Sequence, residues 1–261
     1  MNFSFGIITS GQETERVQNV IQSIESLCIP NYEILVVGDE GIIGDKVKIV
    51  DYDESIQNMW ITKKKNLITD NAQYDNIVYT HDYISFLPGW YRGFLEYGDD
   101  FEICMNTMLN NDGSRFADWC LDAMLDMKIF GEEKNRKLIP YDMCSKRDFS
   151  KIMYISGAYW VAKRDVMKRF PLNEKHLWGQ SEDVEWSHRV RKHIKFEFNK
   201  NSCVQIIKNK KMGYRIFSDD TKNTLLNLSG EELTRLHNFT NMAWQNNPEN
   251  ISRFEKNNDN S

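Results

Sequence analysis

Residues 76–86 read NIVYTHDYISF, and this stretch decides the fold. Ile77, Val78 and Tyr79 have the β-branched and aromatic character of a buried strand. The chain then presents Thr80, His81, Asp82 and Tyr83, and returns at once to apolar Ile84 and Phe86. A strand that leaves a core through a histidine and a carboxylate carries ionisable chemistry at its carboxyl end. What it means depends on how the other strands end.

They end in the same manner. Phe3 to Thr9 is an apolar run closed by Ser10-Gly11, Glu33 to Val37 is closed by Gly38-Asp39, and Val47 to Val50 by Asp51. Between the first two, Val17, Val20, Ile21, Ile24 and Leu27 recur at helical intervals behind a Ser10/Glu13 capping-box spacing. Ser55 to about Ala72 reads as a second helix carrying Lys63–Lys65 and Asn66. This β-α-β-α-β order predicts an α/β fold with a mainly parallel central sheet flanked by helices. Ligands bind such sheets beyond the carboxyl ends of the strands. Thr9-Ser10-Gly11, Asp39, Asp51 and His81-Asp82 all fall there.

Further along, Phe101 to Leu109 predicts another strand, and Met153 to Ala162 a strand or a hairpin with a glycine turn. Residues 110–150 have weak periodicity and suit a substrate-shaping insertion. Glu182 to His193 has helical character, and Lys195 to Ile207 reads as final strands. Ser229 and Glu232 have capping-box spacing at the start of a C-terminal helix.

Composition narrows the function. The 261 residues hold 33 basic and 38 acidic side chains, a net charge of −5, which argues against a nucleic-acid surface. Five scattered cysteines without CxxC spacing suit reduced thiols. MNFSFGIITSG does not read as a signal peptide, and no apolar run approaches the ~20 residues of a membrane span. These features predict a soluble, cytoplasmic protein. The basic clusters Lys63–Lys65 and Lys208–Lys211 leave peripheral contact with a membrane open; oligomeric state is not readable. Gly11 and Gly38 form no GxGxxG or P-loop, which disfavours a Rossmann oxidoreductase or an ATPase.

Two acidic sites carry chemistry: Asp82 at its strand end, and Glu182-Asp183 within LWGQSEDVEW (177–186). A carboxylate at a sheet edge suits Mn²⁺ or Mg²⁺, hard cations that accept few protein ligands when substrate phosphates complete the sphere. His81 is a further candidate ligand, although strand alternation turns it to the opposite face from Asp82. A second carboxylate, ionised and clear of the metal, suits proton removal from an attacking hydroxyl. Each signal also has a plainer reading. Asp82 alone reads as a turn residue, Glu182-Asp183 as helix-start acids, Lys63–Lys65 as a solvated face, and Arg189 and Arg191 as solvated helix charges rather than phosphate grips. Trp90, Tyr91, Phe94 and Tyr97 read as core.

The arrangement resembles the GT-A glycosyltransferases, in particular the family-2-like inverting group, over roughly residues 3–200. FGIITSGQETERVQNVIQSI (5–24) resembles their first strand and helix, and EILVVGD (33–39) their second strand. KKKNLITDNAQYDNIVYTHDY (63–83) resembles the segment leading to the acidic motif, and YISGAYWVAKRDV (154–166) with WGQSEDVEW the acceptor side and the ED motif. The resemblance implies a GT-A-like domain over 1–220, with a nucleotide half of about 1–100 and an acceptor half of about 101–220. A helical extension over 221–253 and a disordered tail over 254–261 complete the expected organisation.

Carried over, the resemblance implies that Thr9, Ser10, Gly11 and Asp39 hold the nucleoside and that Lys65 and Asn66 lie near the donor pocket. It implies that Asp82, with His81, binds Mn²⁺ or Mg²⁺ and that Gly157 lets the backbone approach the donor sugar. Trp160 and Trp178 are the candidates for stacking on an acceptor sugar. Asp183 is the implied base, with Glu182 orienting the acceptor or tuning its partner. The family's acidic motif is Asp-X-Asp, whereas this chain has Thr80-His81-Asp82; His188 or His193 are candidates for the missing ligand.

The function so implied is inverting, metal-assisted transfer of a sugar from a nucleotide-diphosphate donor to a glycan or lipid-linked glycoconjugate. Three rivals stand beside it. A sugar nucleotidyltransferase is disfavoured by the single glycine of SGQETERV, and a glycoside hydrolase by the nucleotide-like first half. A non-catalytic carbohydrate- or nucleotide-binding module is disfavoured by Glu182-Asp183.

Overall fold

Strand β1 (Phe3–Ile8) is buried at all six positions, as expected of a central strand covered on both faces. In this computed structural model, which describes residues 1–38, 41–122, 137–144, 146–207, 215–216 and 219–246, β1 pairs in parallel with β2 (Tyr32–Val37) and β4 (Asn76–His81). β3 (Val47–Val50) adds in parallel to β2. Helix α1 (Thr14–Glu25) links β1 to β2, and α2 (Ile61–Asn71) links β3 to β4. The expected parallel sheet is this half.

Beyond β4 the pairing changes sense. β5 (Ile84–Phe86), α3 (Trp90–Tyr97) and β6 (Ile103–Leu109) follow in the chain, but β10 (Tyr159–Lys163) inserts between β4 and β6, antiparallel to both. β11 (Phe196–Ile206) pairs antiparallel with β5 at the far edge. The result is a mixed eight-stranded sheet ordered β3-β2-β1-β4-β10-β6-β11-β5. A four-stranded sheet orders β12 (Arg215–Ile216), β8 (Lys137–Leu138), β7 (Trp119–Leu121) and β9 (Met153–Ile155).

Met153 to Ala162 is therefore not a hairpin: β9 and β10 join different sheets. The short helices α4 (Tyr141–Cys144) and α5 (Arg164–Arg169) lead to α6 (Glu182–Val190), α7 (Asp219–Asn227) and α8 (Gly230–Gln245). The chain falls into two units. The first is Met1–Phe116, Gly157–Glu182 and Glu197–Lys210; the second is Ala117–Ser156, Asp183–Phe196 and Lys211–Ser261. Asp39 and the basic stretch 208–211 lie outside the described residues. Among the described residues no helix is long and apolar enough to cross a membrane.

Two helix starts differ from expectation. α1 begins at Thr14 with Glu13 as N-cap and without a side-chain cap bond, because Gly11 is left-handed (φ 76°) and turns the chain after β1. α2 begins at Ile61 rather than near Ser55, because Met59 is itself left-handed (φ 59°) and interrupts a helical path. The Ser229–Glu232 capping box forms: Ser229 Oγ accepts the Glu232 N–H at 3.1 Å, and Glu232 accepts the Ser229 N–H at 2.6 Å.

The core of the first unit is aromatic. Phe3, Phe5, Phe86 and Phe94 pack around Trp90, whose Nε1 donates to the Tyr159 hydroxyl at 2.8 Å. The second unit is organised around a buried cation. Arg191 donates to Asp122 at 2.8 Å and the Met153 carbonyl at 3.0 Å through Nη1, and to Thr240 at 2.7 Å and Asn241 at 3.1 Å through Nη2. His188 Nε2 lies 2.7 Å from the same Asp122 oxygen. Burial pulls the Arg191 guanidinium below its ordinary range, and Asp122 opposes that pull. Arg191 is therefore an internal brace, neither a solvated charge nor a phosphate grip, while Arg189 pairs with Glu185 at 3.0 Å along α6.

Candidate functional site

The carboxyl ends of β1, β2 and β4 are drawn together by backbone. Thr9 N–H donates to the Val37 carbonyl at 3.1 Å, and Asp82 N–H to the Ile8 carbonyl at 3.2 Å. Two glycines permit the approach. A Cβ on Gly11 (φ 76°) would lie 2.6 Å from the Gly38 carbonyl oxygen, and one on Gly38 (φ 103°) would lie 2.2 Å from the Thr9 carbonyl oxygen. Gly38→Ala therefore combines a strained φ with a backbone clash. It is expected to destabilise the protein by about 1–3 kcal/mol, which thermal unfolding checks.

A cavity of about 440 Å³ opens at these ends within the first unit. Thr9, Ser10, His81, Asp82 and Trp178 line it, together with Arg16, Glu54, Met59 and Lys64. His81 and Asp82 share it because β4 stops at His81 and the chain turns, so strand alternation no longer separates the two side chains. Asp82 is buried. Its Oδ2 accepts from Arg16 Nη2 at 2.8 Å and from Thr9 Oγ1 at 2.9 Å.

The three consecutive lysines of α2 have three fates, since a helix turns about 100° per residue. Lys63 pairs with Glu174 at 3.3 Å, on a half-exposed side chain. Lys64 reaches the cavity wall, where it donates to the Thr9 carbonyl at 2.6 Å, pairs with Glu54 and lies 4.7 Å from the Tyr52 ring. Burial, reinforced by Glu54 and Asp53, pushes the Tyr52 phenol up to about 12, and its hydroxyl donates to the Gln57 carbonyl at 2.9 Å. Lys65 points into the core. It donates to the Gly157 carbonyl at 2.8 Å, lies 4.5 Å from the Trp160 ring and stands 3.9 Å from Glu182 Oε1.

Other sequence candidates are placed as follows. Asn66 spends both ends of its amide on the 172–174 segment, donating to Leu172 O and Glu174 Oε1 and accepting from Leu172 N, each at 3.0 Å. Trp160 is 1% exposed and stacked on Tyr79, so it has no face left for a sugar. Trp178 is 57% exposed at the cavity rim, its N–H bonded to the Met59 carbonyl at 3.0 Å. Glu182 is buried. Asp183, half-buried in the second unit, is the second residue of α6: its Oδ1 accepts the Val184 N–H at 2.9 Å and its carbonyl accepts from Ser187 Oγ at 2.6 Å.

Arg16, Glu54 and Met59 line the cavity without a local mark in the sequence, and Lys64 stands there in place of the expected Lys65. The signal for Lys64 was present in the basic run, but its phase was not. Arg16 looks like any exposed helix charge until α1 is seated.

The residues fit a divalent cation poorly. Asp82 and His81 do share the cavity, as a metal reading requires. The carboxylate, however, is already neutralised by a guanidinium, and a cation would have to displace Arg16 or lie beside it. Among the described residues no three His, Cys, Asp or Glu side chains gather as a metal-binding group. His188 is engaged with Asp122 in the second unit.

No protein-family model matches the sequence, and no curated protein does. Solved structures do match. One is GalNAc-T7 with UDP, GalNAc and Mn²⁺, at 14% identity and a TM-score of 0.56, covering 99% of this chain and 54% of that one. S. aureus TarS 1–349 with UDP-GlcNAc matches at 12% identity and a TM-score of 0.52, over 98% of this chain and 79% of that one. Its complex with UDP gives 14% and 0.51, over 96% and 74%. This chain thus spans about half of the first of these. The likenesses show the fold, which is that of the GT-A glycosyltransferases.

Proposed function

We propose that this chain uses its GT-A fold to transfer a sugar from a nucleoside-diphosphate donor to a hydroxyl of a glycan or glycoconjugate, with inversion. The observation that carries the reading is the cavity at the carboxyl ends of β1 and β4, walled by Thr9, Asp82, Arg16 and Lys64. That is where a sheet of this kind receives a ligand, and GalNAc-T7 and S. aureus TarS, of the same fold, were each solved with UDP, TarS also with UDP-GlcNAc.

In the reaction, the bond between the anomeric carbon and the β-phosphate oxygen breaks as the acceptor oxygen bonds to the opposite face of that carbon. The acceptor's proton passes to the Asp183 carboxylate, and negative charge develops on the departing diphosphate. Thr9, Ser10 and Gly11 face the nucleoside. Glu182, buried beside Lys65, acts as a positioning residue one step before Asp183 in the chain. Trp178 offers an exposed indole to a sugar face, a surface suited to C–H contacts beneath a pyranose ring. No step is assigned to a metal ion.

Thermal unfolding with UDP, GDP, CDP and ADP tests the reading. UDP at about 100 times its dissociation constant is expected to add roughly 2.7 kcal/mol to native stability, and UDP-sugar turnover then separates an enzyme from a binding module. No stabilisation by any of the four nucleotides, in folded protein, overturns the proposal.

A further inference from the structure

We infer that Arg16 supplies the positive charge that meets the donor's diphosphate, so that donor binding does not depend on a divalent cation; this rests on the nucleotide-sugar reading above. Arg16 lines the cavity from the first turn of α1. Its Nη2 holds Asp82 Oδ2 at 2.8 Å and its Nη1 lies 3.2 Å from Glu13 Oε1. Its Nε is buried and makes no hydrogen bond. The side chain as a whole is 20% exposed.

A cation at Asp82 would have to compete with the Arg16 guanidinium for the carboxylate. Asp82 is the carboxylate at the position where a metal reading needs its ligand, and its charge is spent on Arg16. A buried carboxylate requires such a partner, so the ion pair fixes both groups. The guanidinium is thereby held in place before a donor arrives. Its planar fork of N–H donors suits phosphate oxygens, which would compete with Asp82 and Glu13 for it. Lys64, the other cation on the wall, is held by Glu54 and the Thr9 carbonyl and is 4% exposed against 20% for Arg16. Arg16 is the better placed to receive an anion.

Calorimetric titration with UDP in EDTA, and again with Mn²⁺, tests this on the full chain. The wild type is expected to bind UDP in EDTA, with little gain on adding Mn²⁺. Arg16→Ala is expected to weaken UDP by about ten- to a hundredfold, as for loss of a hydrogen bond to a charged group, and Arg16→Lys to recover part of that loss. Because Arg16→Ala strands the Asp82 carboxylate, the double variant Arg16→Ala/Asp82→Asn serves as a neutral control and is expected to bind as weakly. UDP binding that needs Mn²⁺, or that survives Arg16→Ala and the double change undiminished, overturns the inference and leaves the glycosyltransferase reading standing. Absence of binding in both conditions by UDP, GDP, CDP and ADP alike, in folded protein, overturns the glycosyltransferase reading itself, and the inference with it.

Discussion

Asp183→Asn is expected to keep UDP binding and the unfolding midpoint of the wild type while losing about 10²–10⁴-fold in sugar transfer, the usual contribution of a positioned general base. Asparagine preserves the shape of the side chain and the acceptor for the Val184 N–H, which Asp183 Oδ1 now meets at 2.9 Å. The start of α6 also relies on the Asp183 carbonyl, bonded to Ser187 Oγ at 2.6 Å, and the backbone is unchanged by the substitution. What the amide cannot do is take a proton. Single-turnover transfer, measured beside UDP titration, distinguishes loss of chemistry from loss of binding. Transfer at the wild-type rate would show that the base lies elsewhere.

The largest effect on stability is expected at a residue far from any proposed chemistry. Arg191→Ala should cost about 3–5 kcal/mol, the range for breaking a buried ion pair by removing one partner. Asp122, itself buried, would be left with His188, and Thr240 and Asn241 on α8 would lose their donor. Urea unfolding should show a midpoint lowered by more than about 1 M, given slopes of roughly 1–3 kcal/mol/M. The paired change Arg191→Met/Asp122→Asn should cost less, because it removes both charges instead of stranding one. Equal losses in the two variants would mean that packing volume, not the uncompensated carboxylate, dominates.

These two residues illustrate how unevenly the chain can be read. Asp183 stands out in sequence because its neighbours Trp178, Gly179 and Glu182 form a pattern. Arg191, nine positions beyond Glu182, carries no mark that separates a buried brace from a solvated charge; its burial comes from α8, some 50 residues later. The same holds at the cavity. Thr9-Ser10-Gly11 and His81-Asp82 were legible because a strand's end is visible where apolar residues give way to polar ones, and parallel order brings such ends to one edge. Trp160 and Trp178 were not separable, since each is a tryptophan within three residues of a glycine, Gly157 and Gly179. One lies in β10 between Tyr79 and Lys65, and the other sits on a loop at the rim.

By itself the sequence determined the parallel half of the sheet, the alternation of strand and helix that builds it, the Ser229 cap of α8 and the edge where polar groups converge. Each follows from periodicity or from hydrogen bonds a few residues apart. Tertiary structure alone decided that β10 would enter between β4 and β6, that Lys64 rather than Lys65 would face the cavity, and that Arg16 would neutralise Asp82 66 residues away. Those outcomes depend on the phase of a helix and the seating of one element on another, which are set by packing between segments distant in the chain and not by the local pattern of any of them.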